Sequence, residues 1–206
     1  MLRVNPEDFY TDPEGLAEAT KRSNFPQEFL NIRDRFVEQF ESGDRILDSG
    51  CGPGHDVAYF EQNGLDAVGV DVSSEVVEYL EQRELEAMES DMKHLDFDDN
   101  SFDGVWCCAS IHFNNPEGMR DAAEELYRVT EKGGLAQITF KLGEKEFYMD
   151  ETDNGSIKHY LVSKDKAYEI IESAGYEIDE KLSGKNNPDR EEFDYFLNVF
   201  AEKPEK

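Results

Sequence analysis

The sequence predicts an α/β protein: a doubly wound, mostly parallel sheet of about seven strands, with an antiparallel C-terminal hairpin strand and a helical N-terminal cap. Three observations predict it. From about residue 44, short apolar runs alternate with segments of helical period, as strands joined by crossover helices do. A glycine-rich string separates the first such run from the first such helix, at the edge of an open sheet where ligands bind. The last two apolar runs follow one another without a helix between them, so the chain returns antiparallel.

The elements follow in order. Residues 1–43 show no strand pattern. Pro26 to Phe40 carries Phe29, Ile32, Phe36, Val37 and Phe40 on one helical face. That makes 1–43 a cap and 44–206 the main domain. Arg45-Ile46-Leu47-Asp48 is the first strand, and Asp56 to Asn63 is a helix closed by Gly64. Ala67 to Val70 is the second strand, ending at Asp71. Ser73 caps a helix through about Arg83, with Val76, Val77 and Leu80 inward. Glu86 to Ser90 is a third, weaker strand. Asp103 to Ala109 is the fourth and most apolar. Pro116 opens a helix to about Thr130, stopped by Gly133-Gly134, and Leu135 to Phe140 is the fifth strand. Lys141 to Tyr160 is polar and irregular, with the turn signal Asp153-Asn154-Gly155. Ser163 to Ala174 is a capped helix ended by Gly175. Tyr176 to Leu182 and Asp194 to Ala201 are the closing strands, with a surface turn at 184–190.

Composition removes several classes of function. The 206 residues make one domain that needs neither disulfides nor a metal to fold. No apolar run approaches the roughly 18 residues of a membrane span. The first twelve residues lack the basic flank and apolar stretch of a secretory signal. Cys51, Cys107 and Cys108 are too few for a disulfide framework or a zinc site. They read as reduced packing residues, with the cytosol as the expected compartment. The 48 acidic against 21 basic residues give a net charge of −27. The acids are spread among good apolar periodicity, so this is not disorder. Such a distributed excess is the surface pattern of a protein from a salt-loving organism. Molar salt screens self-repulsion to within about 3 Å. It also weakens phosphate-driven binding, so the charge does not exclude RNA.

The chemistry centres on Asp48-Ser49-Gly50-Cys51-Gly52-Pro53-Gly54. Alternate glycines let the backbone turn tightly and let a ligand lie against it. Asp71, at the end of the next strand, can accept both hydroxyls of a ribose. It could instead cap the following helix, although Ser73 already fits that role. A dinucleotide fingerprint is G-x-G-x-x-G. Here the third glycine comes one residue early and His55 stands where it should be. The spacing therefore argues for a nucleoside with no pyrophosphate on the helix N-terminus.

With Val68 to Ser73, Ser90-Asp91-Met92, Phe97 to Ile111 and Glu124 to Lys141 in this order, the chain over about residues 44–203 resembles the class I S-adenosylmethionine-dependent methyltransferases, in particular their small single-domain members. The resemblance implies a Rossmann-like domain with S-adenosyl-L-methionine as cofactor. Asp48 would help hold its methionine portion, with the backbone of Gly50, Cys51, Gly52 and Gly54 beneath. Asp71 would bind the ribose and Val72 would pack on the adenine. Asp91 would accept from the adenine amino group, with Met92 beside the ring. Ala109 would bring its carbonyl near the cofactor's amino group. Ser110 to Asn114 would line the methyl-transfer pocket, with Phe113 in it. His112 is a candidate base or substrate contact there, or else a packing histidine. Tyr10, with Phe9 and Phe25, would close the site from the cap, and 141–160 is a usual place for substrate-contacting insertions.

The implied activity moves a methyl group to an N, O or C acceptor of a small molecule or RNA, by in-line displacement that depends on proximity and orientation. Neither membrane nor metal is expected as a partner, and the acceptor and oligomeric state stay open. Asn114-Asn115-Pro116 only loosely echoes an Asn-Pro-Pro-Tyr motif, which disfavours amino methylation of a base or glutamine. Two other readings remain: a nicotinamide-dependent oxidoreductase or epimerase, and a cofactor-binding module without catalysis. Asp71 also suits a nicotinamide nucleotide's ribose, but the glycine spacing does not suit its pyrophosphate.

Overall fold

The computed structural model describes residue 17 and residues 27–152, 155–185 and 195–206. Strands β1 (Arg45–Ser49), β2 (Asp66–Asp71), β3 (Glu86–Glu89), β4 (Phe102–Cys107) and β5 (Thr130–Leu142) run parallel. Between β5 and the C-terminal strand lie β6 (Phe147–Thr152), β7 (Gly155–Tyr160), β8 (Glu177–Ile178) and β9 (Gly184–Lys185). The last strand, β10 (Tyr195–Glu202), returns antiparallel beside β5 and pairs with β8 and β9. The sheet order is β3-β2-β1-β4-β5-β10-β8, with β9 also on β10. The order reverses between β1 and β4, so a crevice opens at their carboxyl ends.

Helices cover both faces. On one lie α1 (Gln27–Val37), α2 (His55–Gln62) and α3 (Ser74–Glu81), which bury Phe36, Phe60 and Leu80 against Ile46, Trp106 and Phe200. On the other lie α4 (Pro116–Val129) and α5 (Lys164–Ala174), which bury Leu126 and Ile170 against Val68, Val105 and Ile138. Burial on both faces is why β1, β2 and β4 read as near-continuous apolar runs. No helix among the described residues is long and apolar enough to cross a membrane.

Helix α1 is pinned by more than its apolar face. Phe36 packs on Trp106 at 5.0 Å between ring centroids. Asp56, in the first turn of α2 and nearly inaccessible, accepts hydrogen bonds from Trp106 Nε1 at 2.9 Å and Arg33 Nη1 at 3.3 Å. Removing that carboxylate strands a buried indole N–H and a largely buried guanidinium. Asp56→Ala is expected to cost about 3–5 kcal/mol in urea denaturation. A loss under about 1 kcal/mol, the scale of an exposed ion pair, would show the contact to be incidental. Apart from residue 17 and 27–43, the segment 1–43 lies outside the described residues, and with it Tyr10, Phe9 and Phe25.

Four sequence expectations are corrected. Helix α4 ends at Val129 without a glycine stop, because Thr130 turns extended and begins β5. Its last carbonyls are met instead by the Lys203 ammonium, which donates to Tyr127 O at 2.8 Å and Thr130 O at 2.7 Å. Gly133 and Gly134 lie inside β5, where a Cβ on Gly134 would sit 2.6 Å from Asp103 O. The glycine pair therefore permits close approach of β4 and β5. The segment Lys141–Tyr160 is not irregular: β6 and β7 form a separate two-stranded antiparallel sheet. The turn residues Asp153 and Asn154 lie outside the described residues. The strand expected over Tyr176–Leu182 shrinks to β8, because Asp179 Oδ1 accepts from Lys181 N and Leu182 N and bends the chain. Residues 184–185, expected in a turn, pair with β10 as β9, and 186–194 lie outside the described residues.

Candidate active site

The glycine loop is tied to its neighbours at three points. Gly50 N and Cys51 N both donate to Val70 O, at 2.8 and 3.0 Å, so the loop hangs on β2. Ser110 Oγ, on the exit of β4, donates to Ser49 O at 2.8 Å. Gly52 N donates to Asp71 Oδ2 at 3.0 Å, while Ser73 N donates to Asp71 Oδ1 at 3.1 Å. Ser73 also caps α3, accepting from Val76 N. The Asp71 carboxylate is 6% exposed. Burial raises its pKa, and the backbone N–H groups oppose that rise. A carboxylate offers about four lone-pair sites. Two serve the backbone here, which leaves capacity for a pair of ligand hydroxyls.

These pieces border a cavity of about 360 Å³, within the roughly 300–1,000 Å³ of small-molecule sites. Of the residues expected there, Gly50, Gly52, Asp71, Val72, Asp91, Met92, Ala109 and Phe113 line it. Ala109 takes a positive φ of 56° just past the end of β4, which turns the chain across the crevice. Asp91 is fixed by Lys93, whose N donates to Oδ1 at 3.0 Å and whose Nζ lies 3.2 Å from Oδ2. Asp48, Cys51, Gly54 and His112 do not line the cavity. Asp48 is buried within β1 between β2 and β4. The Cys51 side chain turns toward Gly69, where a Cβ would meet its sulfur at 2.8 Å. Burial, with Asp48 next in effect, pushes its thiol pKa well up. Gly54 begins α2 and backs onto Leu80.

The wall also contains residues given no individual role by the sequence: Ser90, Lys93, Ser110, Asn114, Asn115, Gly118 and Tyr160. Asn115 carried a readable signal, an Asn before Pro116, and its side chain accepts from Gly118 N as the cap of α4. Tyr160 comes from β7, which the sequence did not reveal. The set fits an adenosine: a buried carboxylate for a diol, Val72 and Met92 for a flat base, and Asp91 for an amino group.

Behind the cavity wall lies a second cluster. His112, in a short 3-10 turn (Ile111–Phe113), is 1% exposed, and its Nδ1 has no hydrogen-bond partner among the described residues. Its ring packs on Phe113 at 4.6 Å and stacks on His159 at 5.1 Å and 20°. Burial, then Lys141 and His159, hold its pKa well below the ordinary value. Burial and Lys141 lower that of His159 to about 4. An unfolded imidazole titrates near 6.5, so between these values the unfolded chain binds the proton and the folded chain does not. The neutral ring's stability is fully present above about pH 6.5 and is lost as pH falls toward 4. His159→Gln is expected to flatten stability against pH in that window, by at most about 3 kcal/mol overall. Parallel curves for wild type and variant would show that His159 titrates normally.

The geometry has counterparts among known proteins. Residues 46–134 match the family model of the methyltransferase domain. Over 99 residues the chain is 30% identical to malonyl-[acyl-carrier protein] O-methyltransferase of Enterobacter lignolyticus, a match spanning 46% of this chain and 38% of that protein. Over 113 residues it is 32% identical to the Arabidopsis thaliana tRNA (carboxymethyluridine(34)-5-O)-methyltransferase, spanning 54% of this chain and 27% of that protein. The chain thus spans well under half the length of either relative. Its fold is similar to that of Burkholderia thailandensis 1,6-didemethyltoxoflavin-N1-methyltransferase, solved with S-adenosylhomocysteine: the TM-score is 0.71 at 15% identity, over 99% of this chain and 92% of that one. At that identity the likeness is one of fold.

Proposed function

We propose that this chain, whose residues 46–134 match the family model of the methyltransferase domain, is an S-adenosylmethionine-dependent methyltransferase acting on a small-molecule acceptor. The observation that carries the reading is the Asp71 carboxylate, buried at the carboxyl end of β2, holding the glycine loop and facing the cavity at once. The cofactor supplies a methyl group on an activated sulfonium, so the protein has mainly to place the acceptor in line with the bond that breaks. Val72, Met92 and Asp91 would hold the adenine end, and the exit of β4 from Ala109 to Phe113 would border the reacting end. Both curated relatives are named for O-methylation, which favours an oxygen acceptor. A dinucleotide fits less well, because the loop's third glycine enters α2 one residue too early for a pyrophosphate.

Calorimetric titration in concentrated potassium chloride, with S-adenosylhomocysteine and separately with NAD, tests this. The homocysteine nucleoside is expected to bind at about micromolar affinity and NAD not to bind. A folded protein that ignores S-adenosylhomocysteine would overturn the reading, and turnover of RNA but of no small molecule would move the acceptor class.

The acidic surface has its own consequence, under the reading that the protein works in high salt in the cytoplasm of a salt-loving organism. A net charge of −27 repels itself over a Debye length of about 10 Å at 0.1 M salt and about 3 Å at 1 M. The melting temperature is expected to climb steeply with potassium chloride across that range. A melting temperature independent of salt would remove the halophilic reading. The buried thiols of Cys51 and Cys107, both held protonated by burial, suit the reducing compartment that this reading requires.

A further inference from the structure

The backbone of the loop after β3 is restrained on every side. His94 N donates to Asp91 O at 2.8 Å and Ser90 Oγ donates to His94 O at 3.2 Å, which closes the loop into a tight turn. Helix α4 grips the chain that follows. Leu95 N donates to Glu125 Oε2 at 3.0 Å, and Arg128 donates to Leu95 O at 2.9 Å and to Phe97 O at 2.7 Å. What this leaves free is the Asp91 side chain, which lines the cavity and is 41% exposed. Asp71, at the end of β2, faces no such freedom. It is buried, and backbone N–H groups from two different segments hold its two oxygens. Asp91 has one backbone donor, Lys93 N on Oδ1 at 3.0 Å. Its other oxygen is met by the Lys93 ammonium at 3.2 Å. One residue therefore engages both oxygens. Among the described residues that line the cavity, Lys93 alone is cationic. A cation does nothing to attract a sulfonium ligand, so its place in this wall calls for another role.

We infer that Lys93 is a positioning residue that sets the purine selectivity of the site, by holding the Asp91 carboxylate where it accepts from an adenine amino group and rejects a hypoxanthine; this rests on the methyltransferase reading above. A carboxylate only accepts, and it offers about four lone-pair sites. Lys93 occupies two of them, one from its backbone and one from its ammonium. The rest serve the ligand. Adenine presents N–H donors to them. Hypoxanthine presents a carbonyl oxygen at the same place, so acceptor meets acceptor. The ammonium could answer that oxygen only by leaving Asp91, and the ion pair keeps it occupied. An exposed pair of this kind adds little to the stability of the fold. Its effect is on binding: a carboxylate already fixed in orientation spares the ligand the cost of ordering it. The turn and the grip of α4 fix the backbone, and Lys93 fixes the last rotatable group in the loop that the base meets.

The test is calorimetric titration of the full chain, in one concentrated potassium chloride buffer, with S-adenosylhomocysteine and with S-inosylhomocysteine. Wild type is expected to bind the inosyl compound about tenfold more weakly, or worse, for want of one hydrogen bond to a charged group. Lys93→Met keeps the backbone donor and removes only the ammonium. It is expected to weaken S-adenosylhomocysteine about fivefold and to move S-inosylhomocysteine by less than about twofold, so that selectivity falls about fivefold. Lys93→Arg keeps the charge and should restore most of the selectivity. In an Asp91→Asn background, adding Lys93→Met should weaken S-adenosylhomocysteine no further, because Lys93 acts through that carboxylate. A residue that merely supported the fold would weaken both nucleosides alike. Such a parallel loss, no loss at all, equal affinity of wild type for the two nucleosides, or a loss that persists in Asp91→Asn overturns the positioning role alone. Failure of folded wild type to bind S-adenosylhomocysteine overturns the methyltransferase reading beneath it.

Discussion

Asp71→Asn is expected to weaken S-adenosylhomocysteine binding about a hundredfold while leaving the protein as stable as before or more so. The two effects separate because the carboxylate does two jobs. Toward the ligand it offers charged acceptors to two hydroxyls, each such bond contributing about 1.5–3 kcal/mol. Losing the charge on both, and one acceptor outright, gives the hundredfold figure. Toward the fold, Asp71 is a buried acid whose pKa burial raises. An acid with a raised folded pKa is ionised more readily when unfolded, so above that pKa its charge works against folding. An amide of the same shape removes this cost and keeps one oxygen for Gly52 N or Ser73 N. Calorimetry for binding and thermal unfolding for stability decide the matter together. Retained binding would place the ribose elsewhere. Lost binding with a large drop in melting temperature would make Asp71 a loop tether that the ligand never touches.

How much of this was readable from the sequence depends on where each element is buried. Strands β1, β2 and β4 lie between helices on both faces, and Ile46-Leu47, Ala67-Val68 and Val105-Trp106-Cys107 announce that without ambiguity. The glycine loop and Asp71 were readable because their contacts are local to a strand–loop–helix unit. The β6–β7 hairpin was not. It lies off the main sheet and leaves Phe147 and Met149 exposed, so polar and apolar residues mix and no buried face sets a period of two. Gly133-Gly134 misled for a related reason: a glycine pair after a helix looks like a stop, and only the position of Asp103 O shows that it serves strand packing. The Lys141–His159–His112 cluster was invisible because it joins three elements, two of them with register or position that the spacing does not encode. His112 itself was singled out, yet nothing in the string shows that its ring lies behind Phe113 and off the cavity wall.

Gly50→Ala is expected to be the most damaging single change in the glycine loop, costing about 3 kcal/mol or more in urea denaturation and abolishing S-adenosylhomocysteine binding. Two costs add. Gly50 sits at φ +75°, where a residue with a Cβ pays about 1–2 kcal/mol. A Cβ there would also fall 2.4 Å from Ser110 Cβ and 2.6 Å from Ser110 Oγ. Ser110 is not free to retreat, because its hydroxyl holds Ser49 O at 2.8 Å and meets Cys107 Sγ at 3.2 Å. Forcing that contact adds the roughly 1–3 kcal/mol of an overpacked core site. Gly52 provides the internal control. It has a φ of +49° and nothing within 4 Å of a built Cβ, while lining the cavity. Gly52→Ala should therefore pay only the conformational cost of about 1–2 kcal/mol, yet still hinder the ligand. The double change Gly50→Ala with Ser110→Gly should recover the steric part and not the conformational part. If Gly50→Ala and Gly52→Ala prove equally mild, Ser110 does not lock the end of β1 to the exit of β4, and the loop's shape is set by β2 and Asp71 alone.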